Sequence, residues 1–336
     1  MGFDRIIGQE ALKKRMGAEV LSKRGNTYIV SGPSGSGKTF IAGELAKSFI
    51  CSHPTSNGEC GSCDSCRSLG AGANTDLVRI APDKGEKNIP VDRIRDDVVG
   101  DYETAPRFSP HKVYIIDADH IGVEAQNALL KSIEEPPANV IFILEVTNTD
   151  TLLPTILSRA VEYKILPYSV EEVKAIVRSE GIDIADADLD IASEFADGIP
   201  GRAVKLASDE SFGKLKDDLM DLILDMRGAK ISDVLDRSDE IFGEYKDNYM
   251  EPVILLLWIF GDLMKLMADI DCDRIRFTSA RTRLEKYIVT HKEIGQKEIG
   301  RACEAVNAFV ADRKVNVGYD GCVNLMILKI YKEFNK

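Results

Sequence analysis

Eight residues, Gly32-Pro-Ser-Gly-Ser-Gly-Lys-Thr39, have the types and spacing of a loop that wraps a phosphate. Glycines at Gly32, Gly35 and Gly37, with Ser34 and Ser36 between them, let successive backbone N–H groups turn inward around an anion at a helix N-terminus. Lys38 then reaches the outer phosphates of a nucleotide, and Thr39 holds Mg²⁺. A second cluster, Cys51 with Cys60-x2-Cys63-x2-Cys66, lies in a segment rich in Gly, Ser, Asn and Asp. Four thiolates can close a tetrahedral shell around Zn²⁺ and leave no position for water, so this metal is expected to be structural. A third chemical group is Asp117, which ends the apolar run Lys112-Val-Tyr-Ile-Ile-Asp117. Such a run is the form of a buried parallel strand that offers a carboxylate to Mg²⁺ at its C-terminal edge.

The elements that must hold these groups are legible as alternating strands and helices. The run Thr27-Tyr-Ile-Val30 reads as the strand before the phosphate loop, and Phe40 to Phe49 as the helix after it. An amphipathic helix from about Ala11 to Arg24 delivers the chain to that strand. Further strands are expected over 76–80, 112–117, 139–144 and 161–165. A helix from Gln126 stops at Pro136 and Pro137. The fourth strand ends in Val146-Thr-Asn-Thr-Asp150, whose Asn148 is expected beside a γ-phosphate. Val91-Asp-Arg-Ile-Arg95 starts a helix whose Arg93 and Arg95 read as a solvated face. His120 reads as a structural or partly exposed histidine, and Cys272, Cys303 and Cys322 as buried thiols.

Placed ahead of a phosphate loop, Ile7-Gly8-Gln9 resembles the adenine-side motif of the clamp-loader branch of AAA+ ATPases. The phosphate loop, the four-cysteine insert, Asn127-Ala-Leu-Leu-Lys-x-x-Glu-Glu-Pro-Pro137 and Leu153-Pro-Thr-Ile-Leu-Ser-Arg159 follow in that order. This array resembles the bacterial DNA polymerase III clamp-loader subunits, most of all the delta-prime type. The resemblance implies ATP, Mg²⁺ and Zn²⁺ as cofactors, with other clamp-loader subunits, a sliding clamp and primed DNA as partners. It implies nucleotide contacts from Ile7, Gly8, Asn148 and Arg202, and an arginine finger, Arg159, that projects into a neighbouring subunit's site.

Two departures from the family pattern bear on activity. Its Ser-Arg-Cys triplet reads Ser158-Arg159-Ala160 here, which leaves the arginine in place. Ala118 stands where hydrolysing AAA+ proteins carry a glutamate that polarises water, so slow or absent intrinsic hydrolysis is expected. Asp119 would point to the opposite face if the strand continued. A gamma/tau-like hydrolysing ATPase, or another AAA+ replication or repair motor, is the competing reading. An intact phosphate loop speaks for that alternative, because delta-prime loops are often degenerate.

Length and composition bound the rest. A chain of 336 residues is expected to form two or three domains. The implied fold is α/β: an AAA+ nucleotide-binding domain over 1–166 with a zinc module at about 51–66, a helical lid over 167–209, and an all-helical oligomerisation collar over 210–336. The net charge of −12 argues against coating nucleic acid by bulk electrostatics, so any DNA contact must be local. No secretory signal opens the chain and the apolar run Val253 to Phe260 is too short to span a bilayer, so a cytoplasmic protein without a membrane partner is expected.

Overall fold

Runs of apolar and β-branched residues too short for helices pair into a five-stranded sheet in the computed structural model, which describes residues 2–22, 25–101, 104–314 and 318–336. The strands are β1 (Thr27–Ser31), β2 (Leu77–Ile80), β3 (Lys112–Asp117), β4 (Val140–Val146) and β5 (Val161–Lys164). Their order is β2-β3-β4-β1-β5, and every pairing is parallel. All residues of β1 and β4 are buried, as parallel strands covered by helices on both faces require. The outer strands β2 and β5 are only partly buried.

Register decides what meets at the C-terminal edge of this sheet. Asp117 of β3 lies opposite Glu145 of β4, and Ser31 of β1 opposite Val146. The segments leaving β1, β3 and β4 therefore emerge side by side, the place where open parallel sheets build ligand sites. β2 begins at Leu77, one residue after Asp76, whose carbonyl still accepts the Val113 N–H at 2.7 Å and whose buried carboxylate accepts the backbone N–H groups of Arg107 at 2.8 Å and Phe108 at 2.7 Å.

The chain divides into two compact units, residues 1–181 with 193–204, and 182–192 with 205–336. The first holds the sheet. A helix Lys38–Ile50 follows β1, and a helix Val123–Glu134 follows β3. Arg93 and Arg95 are tied to local acids, Arg93 to Asp83 and Asp97 and Arg95 to Asp92, as a solvated face would have them. The helix Glu10–Ser22 is shorter than expected, and residues 23 and 24 lie outside the described residues. Among the described residues of the second unit all regular elements are helical, and its core includes Leu256, Phe260, Phe309, Ile327 and Phe334. Asp262, fully buried on the helix Met250–Ala268, accepts the backbone N–H groups of Arg276 at 2.7 Å and Phe277 at 2.8 Å through one oxygen and pairs with Lys265 Nζ at 3.2 Å through the other. Trp258 of the same helix lies under the Arg276 guanidinium, 4.7 Å from the ring centre. Of the segment Lys314 to Tyr319, residues 315–317 lie outside the described residues. Among the described residues no helix is long and apolar enough to cross a membrane.

Candidate functional site

The phosphate loop is built by glycine conformations that other residues rarely adopt. Gly35 and Gly37 hold φ values of 82° and 89°, in the left-handed region that favours glycine. Gly37 stands at the N-cap of the helix Lys38–Ile50 and no side chain caps that helix, so its first N–H groups are open to an anion. Ser36 Oγ is buried without a hydrogen-bond partner, a polar atom that a bound oxyanion would satisfy. Lys38 Nζ donates to the carbonyl of Gly32 at 2.9 Å and to Thr147 Oγ1 at 3.0 Å. A cavity of about 720 Å³ opens over this loop, lined by Ser34, Lys38, Thr39, Asp117, Asp119 and Glu145 among others.

One wall of this cavity carries acids. Asp117 lies where the strand pattern predicts it, with its Oδ2 2.9 Å from His120 Nδ1. Beyond Asp117 the strand gives way to a 3-10 turn, Ala118–His120. That turn brings Asp119 back to the cavity, contrary to the opposite-face placement expected for a continuing strand. Asp119 accepts the Thr147 N–H at 2.7 Å and the Thr147 hydroxyl at 2.6 Å, and stands 4.0 Å from Lys38 Nζ. The strand-tip residue facing Lys38 is therefore Thr147. Asn148 instead turns into its own segment, where it accepts the Asp150 N–H at 3.0 Å.

Glu145 and Arg79 escaped the sequence reading because each lies inside a strand pattern that looks merely structural. Glu145 is 4% exposed, accepts the Thr39 hydroxyl proton at 2.9 Å and pairs with Arg79 at 2.9 Å. Burial pushes its carboxyl up; the Arg79 charge and the Thr39 hydroxyl pull against that, and Asp117 adds to it. Thr39, Asp117 and Glu145 form an oxygen-rich donor set of the hardness Mg²⁺ prefers.

The second cavity, about 640 Å³, shares Arg5, Gly35, Gly37 and Phe40 with the first and continues to Ile6, Ile7, Tyr168 and Ile176. Its apolar lining suits a planar base. Gly8 holds φ 64°, and a side chain there would strike the Glu172 carboxylate. Glu172 itself forms a capping box with Ser169 at the start of the helix Val170–Ser179. Gln9 exchanges two hydrogen bonds with the Leu166 backbone, at 2.7 and 3.2 Å, which ties the opening loop to the end of β5. Arg202 holds its guanidinium 4.8 Å over the Phe195 ring and lines neither cavity. The neighbouring Gly201 approaches the phosphate loop instead, donating to the Gly35 carbonyl at 2.8 Å. Arg159 also lies off both cavities, with its guanidinium 3.0 Å from Glu134 Oε1 and bonded to the Thr155 carbonyl at 3.0 Å.

The thiols of Cys51, Cys60, Cys63 and Cys66 all lie within 4.8 Å of one another. Cys51 and Cys63 sulfurs are 3.9 Å apart and those of Cys63 and Cys66 3.4 Å, bracketing the ~3.8 Å that tetrahedral zinc with ~2.3 Å Zn–S bonds imposes. Burial pushes the Cys63 thiol up, but the backbone N–H groups of Cys66 and Ser52 and the adjacent thiols outweigh it and bring it to about 6. The donor set and its spacing fit zinc. The insert is seated by close backbone approach: a Cβ on Gly17 would fall 1.9 Å from the Ser56 carbonyl oxygen, and one on Gly2 2.0 Å from that of Asn57.

Residues 8–169 match the family described as DNA polymerase III, delta subunit. The tau subunit of DNA polymerase III from Bacillus subtilis is 34% identical over 202 residues, 58% of this chain and 35% of that protein. The delta' subunit from Pseudomonas aeruginosa is 34% identical over 181 residues, 53% of this chain and 54% of that protein. This chain thus spans between about a third and about half of those relatives' length. A solved DNA polymerase III gamma-subunit-related protein from Thermotoga maritima aligns with 96% of this chain and 99% of its own at 16% identity and a TM-score of 0.38.

Proposed function

We propose that this chain, whose residues 8–169 match the family described as DNA polymerase III, delta subunit, is a cytoplasmic clamp-loader subunit of the delta-prime kind. It binds ATP, turns it over slowly, and lends an arginine to a neighbouring ATPase while a sliding clamp is loaded onto primed DNA. One observation carries the reading: Lys38, Thr39 and Asp117 line a single cavity, while the position after Asp117 is the buried Ala118. The open helix N-terminus and Lys38 receive the phosphates, and Thr39 with Asp117 holds Mg²⁺. When bound, Mg²⁺ neutralises phosphate charge. Ile7 and its neighbours take the adenine. Arg159 is free of its own site's work and serves a neighbour's γ-phosphate.

We assign residues 167–209 to the lid and 210–336 to the collar of such a subunit. The four-cysteine insert is its zinc module.

Asp119 favours a second reading. Its carboxylate lies in the cavity near Lys38, so a gamma/tau-like subunit could use it to orient water. ATP hydrolysis by the purified chain separates the two: brisk turnover that Asp119→Asn abolishes selects the hydrolysing subunit. For the leading reading, the chain is mixed with hydrolysing clamp-loader subunits, native against Arg159→Ala. Assembly should persist while turnover falls by roughly 10³-fold or more, the scale of other arginine fingers. Unchanged turnover in the assembled complex removes that role.

A further inference from the structure

The metal edge holds a residue pair that the phosphate-loop reading does not use. Glu145 sits beside Asp117 across adjacent strands, so two carboxylates share one small region. Thr39 commits its hydroxyl proton to Glu145 Oε2 at 2.9 Å, which leaves its oxygen lone pairs for a cation. The Arg79 guanidinium uses that oxygen. Its Nη2 donates to Thr39 Oγ1 at 3.2 Å and to both Glu145 oxygens, at 2.9 and 3.1 Å. Arg79 comes from β2 and its side chain is 42% exposed, whereas Glu145 is sealed in. The guanidinium can swing into water; the carboxylate cannot follow it.

A buried carboxylate without a counter-charge is costly, so Arg79 can leave only if another cation replaces it. A divalent cation held by Thr39 and Asp117 would meet the same oxygens, and two cations cannot both hold them. Building on the nucleotide-binding reading above, we propose that Arg79 and Glu145 form a cation-exchange pair. The divalent cation accompanying the nucleotide displaces Arg79 from Thr39 and gains Glu145 as an additional carboxylate. Arg79 is thus a resident competitor of the metal, and Glu145 a metal-side residue contributed by β4.

The test uses the full chain and a fluorescently labelled ATP, titrated in EDTA and across a range of Mg²⁺ concentrations. The quantity read is the Mg²⁺ concentration that half-maximally strengthens nucleotide binding. Arg79→Gln should lower it by about tenfold, and Glu145→Gln should raise it by about tenfold, the scale of one charge-assisted hydrogen bond. In the Glu145→Gln background, Arg79→Gln should shift it far less, because the two act through one interaction. Electron paramagnetic resonance of Mn²⁺ with the labelled nucleotide should show the same order of affinities without any turnover. If Glu145→Gln fails to fold, as judged by circular dichroism, Arg79→Gln alone decides, since Arg79 reaches solvent. A native chain that binds the nucleotide while both variants keep the native Mg²⁺ midpoint overturns the exchange and leaves a structural ion pair. A native chain that binds no labelled nucleotide overturns the nucleotide-binding reading, and the exchange with it.

Discussion

The four thiols of the insert come from one short stretch, Cys51 to Cys66, whereas the oxygens around Lys38 come from Thr39 on the helix after the phosphate loop, Asp117 and Asp119 at the end of β3, and Glu145 and Thr147 at the end of β4. Both places are suited to a charged guest. In the insert, local spacing alone brings the sulfurs within a few ångströms, so nearly every ligand is readable in advance. In the cavity, the sheet must first choose its strand order and register, and a shift of one residue in β3 or β4 would turn Asp117 or Glu145 to the other face. Local chemistry is robust and predictable; chemistry assembled by a sheet is adjustable and hides in strands that look like core.

Several measurements would break or sharpen that contrast. Cys63→Ser, or removal of metal by a chelator, should have the largest effect. Structural zinc sites of this kind are worth ~10–16 kcal/mol in apparent terms, so zinc measured by mass spectrometry should fall from one per chain toward none. Proteolysis should then open the stretch between Cys51 and Cys66, while circular dichroism retains the signal of the sheet and its helices. Collapse of both together would show that the insert is not an independent local site.

Lys38→Ala comes next. It removes a charged donor from the phosphate position, and labelled ATP should bind at least tenfold more weakly, with thermal stability little changed. Equal binding by native and variant chains would remove the phosphate role of the loop. Gly17→Ala drives a methyl group into the Ser56 carbonyl and should cost about 1–3 kcal/mol in denaturant titrations. Retained stability would mean that the insert seats itself without this close approach.

The two smallest effects distinguish neighbours at one strand tip. Thr147→Val takes a hydrogen bond from both Lys38 and Asp119 and should change nucleotide affinity by about 1 kcal/mol. Asn148→Ala removes only a local turn cap, so stability should drop by ~0.5–1 kcal/mol while nucleotide affinity stays within twofold. A reversed order of affinity effects would return Asn148 to the γ-phosphate.

Two placements were not legible in residue spacing. Asp119 would face away from the cavity only if β3 continued; the 3-10 turn at Ala118 ends the strand and rotates it into the cavity. Arg202 carries its guanidinium over the ring of Phe195, 4.8 Å from its centre. Each is set by a short-range backbone or ring contact that residue spacing does not reveal.

What the amino-acid order settled unaided is whatever depends on neighbours along the chain: the phosphate loop with its helix, the thiol quartet, the strands and the acid ending β3. Those features follow from glycine torsions, short ligand loops and apolar periodicity, all of which act over a few residues. The tertiary structure alone decided that Glu145 stands next to Asp117, that Arg79 reaches Thr39, and that Thr147 faces Lys38. Those meetings depend on parallel pairing between segments far apart in sequence, and the hydrogen bonds of a parallel ladder are made by backbone atoms that every residue carries.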